Sequence, residues 1–169
     1  HPEGAPMVAE FGDGTSTDPN TWANWSTATY IGNGIENNNN DLYEGSISGI
    51  TTNTYYYGFR FRISSGCTYY YAGNGGSYPS KSMGSIVINS PPTTSNAGSN
   101  QTVCGAATLA ANTPTVGTGT WSVNKGTTAQ FSSVNSPTAT FTPNAGAGDY
   151  ILTWTIASVG CTSSSSNVT

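Results

Sequence analysis

Very few side chains of this chain can move a proton near neutral pH. Its 169 residues include one histidine, His1, and eight carboxylates against four Lys and Arg, for a formal net charge of −4. General acid–base and Ser–His–Asp schemes need several such groups converging on one place. Beyond residue 91 the sequence offers a single carboxylate side chain, Asp149, so an enzyme is not expected. Only 7% of residues are charged and no basic run occurs, which removes the clustered cations that bind nucleic-acid phosphates. No apolar run approaches the roughly 20 residues of a membrane span.

Three other kinds of chemistry remain. The three cysteines, Cys67, Cys104 and Cys161, have no histidine nearby, so a zinc-type site is not expected. An odd number in a Ser/Thr/Asn-rich chain of extracellular character reads instead as one disulfide and one odd thiol. The loops GDGTSTD (Gly12 to Asp18) and ENNNND (Glu36 to Asp41) carry the oxygen ligands that calcium takes in sets of about six to eight. Neither has EF-hand spacing, and Asn runs and Gly-Asp-Gly also suit ordinary turns. No cofactor is expected, calcium being the only one these loops would admit. Finally, Trp22, Trp25, Tyr56, Tyr69, Tyr70, Tyr71 and Tyr78 could form a platform on which sugar rings stack. The competing reading makes about half of them core and cross-strand ladder residues, because one face of each strand must be buried.

The elements that would hold these groups are strands. Helix-forming residues are scarce, with only 3 Leu, whereas Val, Ile, Thr and aromatics abound between 21 Gly and 9 Pro. TYYYGFRFRIS places Tyr55, Tyr57, Phe59, Phe61 and Ile63 on one face, expected to be core, and Tyr56, Gly58, Arg60 and Arg62 on the other. Further strands are expected at Val8–Phe11, Trp25–Ile31, Leu42–Ser48, Thr68–Ala72 and Ser85–Asn89. In the second half DYILTWTIAS sends Tyr150, Leu152, Trp154 and Ile156 one way. Trp121 joins them from Gly119–Val123, with strands also expected at Thr102–Cys104, Thr108–Ala111, Ala129–Ser132 and Thr138–Thr142. The adjacent prolines of SPPTTSNAGSN mark a linker. The expected organisation is an all-β chain of two tandem immunoglobulin-like β-sandwich domains, 1–90 and 101–169, joined by residues 91–100.

The segments QTVCG, GTGTWSV, SPTATFTP and AGDYILTWTI…GC resemble, in that order, the PKD-like immunoglobulin-type modules repeated in large secreted proteins of Bacteroidota. This likeness covers residues 96–169. TWANWSTATY, NNNNDLYEGSISGI and TYYYGFRFR resemble more loosely another immunoglobulin-like module of the same surface proteins. The resemblance implies a disulfide between Cys104 and Cys161, which would stabilise by about 4 kcal/mol in the chain-entropy model and leave Cys67 over. It also implies that residues 1–90 lack one or two initial strands and that the second module stops early.

A sandwich short of a strand exposes an unpaired edge that a strand from another subunit can fill. The expectation is therefore a structural subunit or repeat of an extracellular filament or adhesin, either self-associating head to tail by strand donation into a homopolymer or forming part of a longer tandem array, with a glycan or cell-surface molecule as a further candidate ligand. His1 to Pro6 and Ser163 to Thr169 are the candidate donors. The expectation from a different class is a carbohydrate-binding accessory module of a secreted enzyme.

Overall fold

The computed structural model describes residues 7–33, 41–63, 67–73, 76–77 and 82–169. The chain is all-β, with several antiparallel sheets in the layered manner of a β-sandwich. It divides into two compact units, His1–Ile88 and Asn89–Thr169.

The first unit runs β1 (Val8–Gly14), β2 (Asn24–Thr27), β3 (Thr29–Asn33), β4 (Asp41–Glu44), β5 (Asn53–Arg62), β6 (Tyr70–Gly73), β7 (Gly76–Ser77) and β8 (Gly84–Ile88). β5 is central. Along one edge it pairs with β1, whose other edge carries β2; along the other it pairs with β8 over Asn53–Tyr57 and with β6 over Phe59–Phe61, β7 following β6. The strand expected over Trp25–Ile31 is two strands. It breaks at Ala28, which is buried and donates its N–H to Ala9 O at 2.9 Å. Ahead of that corner β2 pairs with β1; after it β3 pairs only with β4, in a second, two-stranded layer.

That small layer explains where the core lies. Ala9, Phe11 and Ala28 are buried, with Phe59, Phe61, Tyr43 and Ile47 packed on them. Tyr43 meets Phe61 edge to face at 5.8 Å. Of the residues expected in the core with the two phenylalanines, Tyr55 is half-buried, Tyr57 packs its ring 6.1 Å from that of Phe11 at the partly exposed margin, and Ile63 is exposed. Alternation on β5 gives the face of each residue correctly, but the β3–β4 hairpin covers only the Phe59–Phe61 end of that face. Towards β8, Tyr57 is 37% and Ile86 38% exposed.

In the second unit β10 (Thr118–Val123), β12 (Leu152–Ala157) and β13 (Ser164–Val168) form one sheet, and β9 (Ala107–Thr108) with β11 (Thr140–Phe141) another. Between them Trp121, Trp154 and Ile156 are completely buried, with Leu109, Phe141 and Leu152 around them. Tyr150 is half-buried against this core. Each indole nitrogen reaches a carbonyl, Trp121 Nε1 to Ser136 O at 2.9 Å and Trp154 Nε1 to Asn112 O at 3.2 Å, so both tryptophans are buried with their one polar atom satisfied.

Five expectations for this unit need correction. Ser163 to Thr169 is no free tail: it forms β13, pairs with β12 and buries Val168. Its serines hid the strand, since Ser164 and Ser166 share the inward face with Val168 but carry no apolar signal. Residues 91–100 are no free linker either. Ala97 is 1% exposed in the core, and Ser95 N and Ala97 N donate to Ser164 Oγ and Ser166 Oγ. Thr102–Cys104 forms no strand, and Ala129–Ser132 is a 3₁₀ turn, Thr128–Gln130, followed by a single bridge at Phe131. Gln130 makes that turn: buried, it donates to Lys125 O and Thr127 O and accepts from Asn144 N.

The fifth correction concerns the disulfide, because Cys104 and Cys161 are both thiols. Cys161 lies just before β13 and directs its S–H towards Ser90 O at 3.4 Å. Cys104 follows Gln101, whose N–H meets Thr169 O at the far end of that strand. At about 3.3 Å per residue, β13 separates its Cys161 end from its Gln101 end by more than the Cα separation of about 7 Å that a disulfide tolerates. Cys67 lies exposed in the connection between β5 and β6.

Candidate functional site

The most chemically dense region is the outer face of the first unit's larger sheet. Register dictates it. β1 and β5 place Glu10 opposite Arg60 and Gly12 opposite Gly58, so a carboxylate and a guanidinium share this face beside two glycines that let Trp25 and Met83 close over the backbone. β2 then lays Trp25 against Gly12, where a Cβ would come within 2.5 Å of the indole and 2.6 Å of Asn24 O. Glycine is required there by the close approach of the ring. Ahead of it Asp18 accepts from Asn20 N at 2.9 Å and Nδ2 at 2.8 Å, which caps the turn Pro19–Thr21 and delivers Trp22, stacked on Trp25 at 5.4 Å.

Arg60 closes the cluster. Its Nε donates to Glu10 Oε2 at 2.6 Å, each side chain being 18% exposed, and its guanidinium carbon sits 4.1 Å from the Trp25 ring centre and 3.9 Å from that of Tyr69. Arg62 lies 4.7 Å over the same Tyr69 ring. Burial pushes the Glu10 carboxyl up, but hydrogen bonds from Arg60 and Tyr69 and the charges of both arginines outweigh it and hold the group below the usual carboxylate range. Burial and the hydrogen bond to Glu10 push the Tyr69 phenol up.

The expected sugar platform is not assembled here. Trp22 is 7% exposed and gives its indole N–H to Ser16 O at 2.8 Å. Trp25 carries Arg60 on its ring. Tyr56 is half-buried on this sheet face, whereas Tyr70, opposite Phe61 in the ladder, belongs to the other face and is 72% exposed. Tyr78 lies outside the described residues. Tyr71 packs its ring 5.8 Å from Trp25. Sequence alternation had already put Arg60 and Arg62 on this face, but the partner Glu10 lies fifty residues away and only the strand register reveals it.

Asp18 of the first acidic loop is engaged by Asn20, and the second loop lies outside the described residues apart from Asp41. Among the described residues no three His, Cys, Asp or Glu come together as metal ligands.

Two places are open. One is the β3–β4 hairpin, each strand of which has no second partner among the described residues, and which exposes Tyr30 (52%), Ile31 (50%) and Leu42 (47%). The other is a groove of about 530 Å³ in the second unit, with Leu109, Phe141, Leu152 and Val168 along its floor. One rim is Gly146–Asp149, fixed by Lys125 Nζ donating to Ala147 O at 3.0 Å and Tyr150 Oη donating to Gly146 O at 2.7 Å. The opposite rim, Thr102–Ala106, is exposed and its backbone makes no hydrogen bond among the described residues. No helix among the described residues is long and apolar enough to cross a membrane.

No known protein family, curated protein or solved structure matches the chain.

Proposed function

We propose that this chain is a non-catalytic structural element of an extracellular filament or adhesin, built of two immunoglobulin-like units and self-associating through β-strand pairing. The observation that carries the reading is the second layer of the first unit, which among the described residues holds two strands. A two-stranded hairpin faces a six-stranded sheet, covers one end of its inner face and leaves strand edges beside Tyr30, Ile31 and Leu42. An isolated hairpin is marginal in water, and unpaired edges with apolar neighbours are templates for further strands. The scarcity of charge supports the same reading, since edge lysines are a common device against such pairing and 7% of residues are charged. The relationship to PKD-like modules of secreted Bacteroidota proteins, and with it surface localisation, rests on the sequence segments that suggested it.

The accessory-module reading has weaker support, because Trp22 is buried, Trp25 is covered by Arg60 and the exposed Tyr70 lies on the other face of the sheet. A panel of polysaccharides is expected to show no binding that Trp25→Ala abolishes. Electron microscopy of the purified chain at high concentration tests the main proposal. Fibres or ordered oligomers are expected; persistent monomers would overturn it.

A further inference from the structure

We infer that Arg62, on the outer face of the first unit's larger sheet, binds the carboxylate of an acidic ligand. Strand register sets the two arginines of this face apart. Arg60 and Arg62 lie two residues apart on β5, and β1 places Glu10 opposite the first and Val8 opposite the second. Arg60 therefore receives a carboxylate from its own ladder, Nε to Oε2 at 2.6 Å, whereas Arg62 faces an apolar side chain. Alternation along β1, β2, β5, β6 and β8 leaves Glu10, Arg60 and Arg62 as the charges these strands present on this face. The face carries one cation in surplus, on a chain whose net charge is −4.

The surplus cation is held without an anion. Arg62 is half-buried, and its guanidinium carbon lies 4.7 Å from the centre of the Tyr69 ring, with that of Arg60 3.9 Å from the same centre. Arg62 Nε is out of contact with solvent and has no hydrogen-bond partner among the described residues. A ring face attracts the charge but does not satisfy that N–H, and a buried donor left unsatisfied is costly. Two guanidiniums on one ring also repel each other, and Glu10 is a single charge between them. A carboxylate on Arg62 removes both deficits, because it accepts from the planar guanidinium fork and neutralises the second cation. The pairing is the one Glu10 already makes with Arg60, repeated one position further along the strand.

The test is nuclear magnetic resonance of the full chain, following the arginine Nε–H signals while acetate replaces chloride at constant ionic strength and about pH 6, where acetate is ionised. A saturable shift is expected at Arg62 Nε, and little movement at Arg60 Nε, which Glu10 already occupies. Arg62 and Glu10 feel each other's charge, so Glu10→Gln is expected to tighten acetate binding by about threefold or more and to make Arg60 Nε respond as well. Followed at the Val8 and Tyr69 amides, Arg62→Lys, which keeps the charge but not the fork, is expected to weaken binding about tenfold, and Arg62→Gln to abolish it. Near-ultraviolet circular dichroism confirms that each variant is folded. No saturable shift at Arg62 would overturn the inference, as would a response to sulfate but not to acetate. Binding retained in Arg62→Gln and unaltered by Glu10→Gln would place the anion elsewhere and contradict it too. An Arg62 signal that moves on Glu3→Gln and ignores acetate would mean that the chain supplies the carboxylate itself, which excludes an external ligand.

Discussion

The two units bury aromatic residues by different means. In the second, Trp121 and Trp154 meet at 5.0 Å between two sheets, and side chains stitch irregular backbone to the strands: Asn124 Oδ1 accepts from Ile151 N, Asn135 Nδ2 donates to Gly119 O, and Asn112 Nδ2 to Thr94 O. In the first, the inner face is only partly roofed, and much of its aromatic surface is packed on the outer face around Arg60. The difference shows how a charge-poor chain remains folded. Amide and hydroxyl groups complete the second unit's ladders without an ion pair, whereas the first, among the described residues, relies on the Glu10–Arg60 pair roofed by rings and leaves apolar strand surface outside.

Substitutions can break or sharpen that contrast. The largest effect belongs to Trp154→Ala, which empties the middle of the second core and is expected to cost about 3–5 kcal/mol. Calorimetry should show the loss in the transition of the second unit. A uniform shift of both transitions would mean the units do not melt separately.

Glu10→Gln comes next, at about 1–2 kcal/mol for a charge-assisted hydrogen bond, confined to the first unit. Its folded pKa is depressed, so the stabilisation is complete above the ordinary carboxylate value and disappears as pH falls through the folded one. Melting curves across the acid range should therefore show native protein and Glu10→Gln converging at low pH. A constant gap would contradict the ion-pair account.

Cys161→Ser and Cys104→Ser are expected to move the second unit's melting by less than about 0.5 kcal/mol. A loss of 2–5 kcal/mol would indicate a disulfide after all. The smallest effect on the monomer is expected from Ile86→Thr, at the unroofed end of the first sheet, again within about 0.5 kcal/mol by denaturant titration. A larger loss would mean that this face is covered in the monomer.

Strands with one apolar face were legible in the sequence: β5 and β12 follow directly from alternation, as does the burial of Leu152, Trp154 and Ile156. β13 was not, because two of its three inward positions, Ser164 and Ser166, are serines like the outward Ser165, and only Val168 on that face is apolar. Burial of Tyr55 and Tyr57 was overread for a different reason. Alternation tells which face a side chain takes, not whether another layer covers it. The Arg60 cluster depended on register between segments far apart in sequence, which no local pattern encodes. Strand donation from Ser163–Thr169 failed on the same ground, since β12 already offered that segment a partner.

The most direct test of the central claim is hydrogen exchange at the β3–β4 hairpin, Thr29–Asn33 and Asp41–Glu44, in dilute monomer and in concentrated, assembled protein. Strand-paired self-association predicts that edge amides exchanging rapidly in the monomer become protected on assembly. Oligomers whose hairpin amides exchange as fast as those of the monomer would contradict it.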